Sequence, residues 1–132
     1  MRFLGIDYGK KRVGLALSDE ERTLAFPHKT LSNNRKLVEE ISDICQREEV
    51  SLVVVGKSQM FSGKDNPIMK DIEFFIKKFS EVTKVPVYLE AEFFTTQEAY
   101  KIQKDNKNAD ASAAALILQR FLEKHNFKGV ET

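Results

Sequence analysis

The chain has 132 residues, of which 42% are hydrophobic and 31% are charged, a balance that predicts a globular protein and excludes a disordered or membrane-spanning one. Lys and Arg number 21 and Asp and Glu 20, which gives a net charge of +1, so an anion-binding surface has to come from local clustering of basic side chains. The single cysteine, Cys45, excludes an internal disulfide and a four-cysteine metal site.

This length fits one domain with its own hydrophobic core. We expect that domain to span residues 1–132, with a core over residues 1–125 and a tail over residues 126–132. The first residues lack the apolar segment of a signal peptide, and no apolar run approaches the roughly 20 residues that cross a bilayer. The expected location is therefore the cytoplasm, with no membrane partner.

The first elements are three short strands, predicted over residues 3–7, 13–18 and 23–26. In the middle one, Val13, Leu15 and Leu17 alternate with small residues, which is typical of a half-buried strand. The connections are too short for a crossover, so we expect these strands to be antiparallel neighbours.

Helices and strands alternate over the rest of the chain. Apolar side chains recur at helical spacing from Leu37 to Cys45, and residues 32–34 before them offer side-chain caps. A β-branched run that ends at Gly56 suits a central strand covered on both faces. The remaining elements are expected to be a polar loop over residues 57–66, a helix from residue 67, a strand over 86–89, and helices over 95–103 and 110–125.

Each later strand is reached through a helix, which requires a parallel crossover. The sequence therefore predicts an α/β fold: a five-stranded mixed sheet with three antiparallel N-terminal strands, two further parallel strands and helices on both faces. Asp7 and Glu92 fall at the carboxyl ends of strands, where open α/β sheets bind ligands.

The sharpest local pattern is a carboxylate at a strand end, Asp7, followed by Gly9 and a run of three basic residues, Lys10, Lys11 and Arg12. Gly9 lets backbone or phosphate come close, and the basic side chains can neutralise a phosphate beside the carboxylate. The alternative interpretation is a hairpin turn with a solvated charge run, which is the commoner case on composition alone.

Three further acids are candidate ligands. Asp110 precedes a run of small residues that lets a helix pack closely on a sheet, although a lone acid in a first helical turn is more often a favourable helix start. Glu92 follows the last predicted strand. The alternative interpretation is that Glu92 is an exposed glutamate in a loop. Glu90 shares the face of Glu92 if the strand continues, and is then a candidate accessory metal ligand.

Together these segments resemble the YqgF/RuvX-like family of the ribonuclease H-like superfamily, whose members are described as pre-16S rRNA nucleases or Holliday junction resolvases. The resemblance extends from Arg2 to about Leu122. The segments that carry it are the motif over residues 7–18, the strand Val53-Val54-Val55-Gly56, Glu92 with Thr95 and Thr96, and Asp110 with the alanines and Ile117-Leu118 after it.

The resemblance implies a metal-dependent nuclease that acts on structured RNA in preference to a DNA junction. The sequence shows no obvious dimer helix, so we expect a monomer or a weak homodimer. Carboxylate ligands suit Mg²⁺ or Mn²⁺. The implied catalytic and metal-binding acids are Asp7, Glu92 and Asp110. The residues expected to bind flanking phosphates are Gly9, Lys10, Lys11, Arg12 and Lys57.

The sequence departs from the family pattern around the central acid and after Gly56. The family's Asp and Arg beside the central glutamate are Ala91 and Phe93 here, and its Gly-Leu-Pro loop reads Gly56-Lys57-Ser58-Gln59. Losing the Arg removes a bidentate phosphate or carboxylate partner, whose charge, but not its planar geometry, Lys57 or Lys64 can partly replace.

Alternative functions therefore stay open. One is a Holliday junction resolvase, which needs two active sites and hence a symmetric dimer. Another is a catalytically degenerate nucleic-acid or ribosome-assembly binding module. A sugar kinase or actin-like ATPase would need two such domains around a cleft, and this length allows one.

Overall fold

The computed structural model describes residues 1–56, 67–90 and 109–125. Within these residues the chain forms five strands and three helices. In chain order the elements are β1 (Arg2–Tyr8), β2 (Arg12–Ser18), β3 (Ala25–Ser32), α1 (Leu37–Arg47), β4 (Val50–Gly56), α2 (Pro67–Val82), β5 (Val87–Glu90) and α3 (Ala109–His125).

The strands form one mixed sheet in the order β3-β2-β1-β4-β5. β1 pairs antiparallel with β2, and β2 antiparallel with β3, because only tight turns join them. β4 pairs parallel with β1 and with β5, each reached through a helix. The predicted fold class is confirmed, with the β-branched run of β4 inside the sheet.

The third strand differs from its prediction. It spans Ala25–Ser32 and not residues 23–26, and it continues through Pro27. Pro27 is tolerated because β3 is an edge strand and pairs only with β2. The register shifts there, from Leu15 opposite Lys29 to Ala16 opposite Pro27, so β3 carries an extra residue.

The two faces of the sheet carry separate apolar clusters. On one face, even-numbered β1 side chains such as Leu4 and Ile6 pack with residues of α1 and α2. On the other face, Phe3 packs with Ala114, Leu118 and other residues of α3. Because side chains alternate along a strand, Gly5 and Asp7 face α3 together with Phe3.

Helix α3 lies unusually close to the sheet, as the alanines at its start predict. A Cβ atom on Gly5 would meet the Leu118 Cβ at 2.7 Å, and one on Gly56 would meet the Ile117 Cγ2 at 2.9 Å. These glycines leave room for the helix backbone. The close approach carries the start of α3 to the end of β1.

Helix α1 begins at Leu37 without the predicted cap. Ser32 ends β3, and Lys36 at the N-cap position makes no side-chain capping hydrogen bond. Asn34 Oδ1 accepts the Lys36 N–H at 2.9 Å, while the Asn33 side chain turns to the Gly9 carbonyl. The helix is held through Leu37, Ile41 and other buried side chains.

Three predicted segments lie outside the described residues: the loop over residues 57–66, the helix over 95–103 and the tail over 126–132. In the part that is described, no helix is long and apolar enough to cross a membrane. Cys45 is buried in α1, and this burial raises the pKa of its thiol to about 12, which makes it a core residue and not a reactive thiol.

Candidate functional site

Asp7 lies at the carboxyl end of β1 and is only 4% exposed. Across the sheet it pairs with Gly14 of β2 on one side and Gly56 of β4 on the other. A carboxylate between two glycines has no neighbouring side chain on either strand to crowd it. The space over these two glycines is taken by α3, which packs on both of them.

Asp110 belongs to the first turn of α3, and its backbone packs directly on Gly14. A Cβ atom on Gly14 would overlap the carbonyl group of Asp110. Gly14 is also the register partner of Asp7, and such partners lie about 5 Å apart at their Cα atoms. Asp7 and the backbone of Asp110 therefore both lie next to Gly14.

The Asp110 carboxylate is paired with the hairpin between β1 and β2. Arg12 Nε donates a hydrogen bond to Asp110 Oδ2 at 2.9 Å, with the Asp110 side chain 29% exposed and that of Arg12 70% exposed. Arg12 was predicted to bind phosphate. In the structure its guanidinium contacts Asp110, one of the candidate ligands. The two residues are 98 positions apart in the sequence, so the sequence could not indicate this contact.

The turn between β1 and β2 is shaped by Gly9. A Cβ atom there would stand 2.5 Å from the Arg12 carbonyl oxygen, so a larger residue would open the turn. Asn33 Nδ2 donates to the Gly9 carbonyl at 2.7 Å, and the Asn33 N–H donates to the Lys11 carbonyl at 2.9 Å. The turn is tied to β3, while the Lys10 and Lys11 side chains are exposed.

Glu90 ends β5 and pairs in register with Gly56, so Asp7, Gly56 and Glu90 lie in one row across three strands. Its side chain is 3% exposed, and Glu90 Oε1 lies 3.8 Å from Lys124 Nζ of α3. A buried carboxylate requires such a countercharge. Nothing in the sequence pattern indicated Lys124 as its partner.

Glu92 and Lys57, the other predicted site residues, lie outside the described residues. Among the residues that are described, no group of three His, Cys, Asp or Glu side chains is arranged to hold a metal ion. Asp7 and Asp110 are the two acids of the predicted set that lie within the described residues.

The mixed sheet with helices on both faces is the fold of RuvC-type resolvases. RuvC from Thermus thermophilus superposes with a TM-score of 0.60 at 14% identity, over 96% of this chain and 98% of that one. The Holliday junction resolvase of fowlpox virus superposes with a TM-score of 0.55 at 16% identity, over 95% of this chain and 99% of that one. At these identities the likeness concerns the fold.

The family follows from sequence comparison. The profile described as "RuvX: Holliday junction resolvase" matches residues 1–124, so the chain belongs to the RuvX family. A protein of Nitratidesulfovibrio vulgaris is 33% identical over 92% of this chain and 93% of its own length. One of Protochlamydia amoebophila is 32% identical with the same coverage. Both carry the name "Putative pre-16S rRNA nuclease".

Proposed function

We propose that the protein is a divalent-metal-dependent nuclease that hydrolyses nucleic-acid phosphodiesters, with the 5′ end of pre-16S rRNA as its substrate. The observation that carries the proposal is the packing of Asp110 on Gly14, beside Asp7, at the carboxyl edge of the sheet. Membership of the RuvX family and the names of the relatives support the reaction class. A pre-rRNA substrate implies action in the cytoplasm.

The donor set fits Mg²⁺ or Mn²⁺. Asp7 and Asp110 present carboxylate oxygens from β1 and α3, and hard divalent cations prefer such ligands. Glu92 is proposed as the third acid, and Glu90 is less suited because Lys124 already neutralises it. When bound, the metal would supply Lewis-acid activation of water and of the scissile phosphate.

The basic turn and Arg12 would bind the phosphates of the substrate. The exposed Lys10 and Lys11 ammonium groups can bind phosphates on either side of the scissile bond. Gly9 keeps the turn tight, so these side chains stay near Asp7. Arg12 orients the Asp110 carboxylate and is close enough to contact a phosphate bound there. Lys57 is proposed as a further phosphate contact.

The test is a cleavage assay on an RNA that carries the 5′ leader of pre-16S rRNA, with Mg²⁺ or Mn²⁺. We expect the parent to cleave it, and Asp7→Asn and Asp110→Asn to lose about 100-fold or more of the rate, since each removes a charged metal ligand. Asp43→Asn is the matched control, because Asp43 is an exposed acid of α1. Equal rates in all four proteins would contradict the proposal.

Holliday junction resolution is the second candidate, because the matching family carries that description. It requires two copies of the site on a symmetric dimer, whereas RNA processing works with a monomer or a weak homodimer. A four-way DNA junction in the same assay separates the two: cleavage of the junction without the RNA would replace our proposal. Binding of RNA without cleavage under both metals would instead show a degenerate binding module, as Ala91 and Phe93 suggest.

A further inference from the structure

A groove separates α1 from α2 on the face of the sheet opposite Asp7. Its volume is about 690 Å³, which is within the usual range of ligand sites. The residues that matter here among those lining it are Tyr8, Arg35, Lys36, Phe74, Phe75 and Lys78. Nothing in the proposed reaction uses these side chains.

The groove begins next to the candidate site. Tyr8 directly follows Asp7, and alternation along β1 turns its side chain to the opposite face. There its ring packs on Phe75 of α2, with centroids 5.5 Å apart. Tyr8 therefore connects the wall of the groove to the end of β1 that carries Asp7.

The path between the two is basic. Lys10 and Lys11 of the turn are exposed, and so are Arg35 and Lys36 just before α1. Asn33 joins these two groups because its side chain donates to the Gly9 carbonyl. In a chain with a net charge of +1, such clustering gives a local surface that attracts phosphates.

The far side of the groove carries an exposed aromatic ring beside a cation. Phe74 is 61% exposed, whereas Phe75 is 3% exposed. Lys78 Nζ lies 5.4 Å from the centre of the Phe74 ring. Lys78 also lies 4.0 Å from Glu81, and since both are about half exposed, this contact is weak. Glu39 and Glu81 also line the groove, against Arg35, Lys36 and Lys78, so its lining carries a net charge of only +1 and the larger basic excess comes from Lys10 and Lys11 of the adjoining turn.

We propose that this groove binds a single-stranded segment of the nucleic-acid substrate. An unpaired base stacks on Phe74, and Arg35, Lys36 and Lys78 bind its phosphates. Exposed aromatic rings beside cationic side chains are the usual means of holding single strands. The inference extends the proposed function, since it gives that nuclease a preference for substrates with a single-stranded extension next to the cleaved bond.

The experiment measures binding in the presence of EDTA, so that cleavage does not enter. The probes are a labelled RNA hairpin with a blunt end and the same hairpin with a short single-stranded extension. We expect Phe74→Ala to weaken binding of the extended hairpin about five-fold or more and to leave the blunt hairpin unchanged. Phe26→Ala is the matched control, because Phe26 is 51% exposed on the edge strand β3, and it should change neither affinity.

Two lysine substitutions on α2 test the phosphate contacts in the same assay. Lys78→Gln should weaken binding of the extended hairpin, while Lys77→Gln should not, because Lys77 is exposed on α2 but does not line the groove. Equal losses in both variants, or equal losses of Phe74→Ala on both hairpins, would overturn the proposal. A change of oligomeric state with Phe74→Ala at unchanged RNA affinity would overturn it in favour of a second copy of the chain.

Failure here is distinguishable from failure of the nuclease proposal. If the parent cleaves RNA and Phe74→Ala binds the extended hairpin as tightly as the parent, the groove proposal fails and the nuclease stands. If no cleavage occurs but the selective loss with Phe74→Ala remains, the groove stands and the nuclease fails.

Discussion

At the scale of single residues, the contact between Arg12 and Asp110 links the basic turn to the candidate ligands. The two side chains come from opposite ends of the chain and meet at 2.9 Å. If Asp110 holds a metal ion, the guanidinium that orients its carboxylate in the metal-free protein would also compete with that ion for it. Arg12 would then be available to neutralise a substrate phosphate.

We therefore expect Arg12→Gln to strengthen Mn²⁺ binding about two- to five-fold, because an exposed ion pair contributes at most about 1 kcal/mol. Isothermal titration calorimetry without nucleic acid measures this affinity. Arg47→Gln is the control, since Arg47 is exposed at the far end of α1. Weaker Mn²⁺ binding in Arg12→Gln would show that Arg12 holds Asp110 in place for the metal and does not compete with it.

Asp19 is a second residue whose charge has a structural role, in the turn from β2 to β3. Its carboxylate accepts the Thr23 N–H at 2.7 Å, the Thr23 hydroxyl at 2.8 Å and the Leu24 N–H at 3.1 Å. Desolvation acts to raise the pKa of Asp19, but the hydrogen bonds from Leu24 and Thr23 outweigh it and lower that pKa below the ordinary value of 3.8.

The sign of this shift predicts a pH dependence. A lowered pKa in the folded state stabilises the protein above the unfolded pKa, and that stabilisation is lost as the pH falls through the folded value. At neutral pH we expect Asp19→Ala to lower the free energy of unfolding by about 1–3 kcal/mol, and the difference from the parent to shrink below about pH 4. Urea unfolding measures it, with Glu21→Ala, an exposed acid of the same turn, as control. A difference that stays constant into acid would contradict this account.

At the scale of elements, the position of α3 depends on the glycines beneath it. Gly14 allows the start of α3 to touch β2, and the rest of the helix follows over Gly5 and Gly56. The alanines after Asp110 predict a closely packed helix, but which glycines it meets could not be predicted, since that depends on the angle at which α3 crosses the sheet.

Gly14→Ala tests this packing. The added methyl group would overlap the Asp110 carbonyl, so the helix start has to move, and we expect the free energy of unfolding to fall by about 1–3 kcal/mol. Thr30→Ala is the matched control, because Thr30 is the exposed register partner of Gly14 on β3, and we expect it to change stability by less than about 0.5 kcal/mol. An equal, small effect of both substitutions would mean that α3 does not rest on Gly14.

Elements with a clear pattern of hydrophobic residues were predictable from the sequence. Elements whose bounds depend on a single local contact were not. Residues 51–56 and the stripe from Leu37 to Cys45 fold as predicted, because burial alone decides them. The third strand was predicted over residues 23–26, but it spans Ala25–Ser32 because the edge position of β3 tolerates Pro27. Asn33 was predicted as a cap, yet the Gly9 carbonyl takes its side chain.

At the scale of the whole molecule, one sheet separates two surfaces that meet at the end of β1. The α3 face holds Asp7 and Asp110, and the opposite face holds the groove with Phe74. The fold was predictable from element order, because strands reached through helices pair in parallel and place the carboxyl ends of β1 and β4 at one edge. The groove was not, since it depends on how α1 and α2 pack against each other.

The central claim is that Asp7 and Asp110 share a divalent cation, and the most direct test is the thermal unfolding midpoint with and without Mn²⁺. A metal that binds only the folded protein raises this midpoint. We predict a rise in the parent and in Asp43→Asn, and none in Asp7→Asn or Asp110→Asn. The same rise in all four proteins would contradict the claim, because the cation would then bind elsewhere.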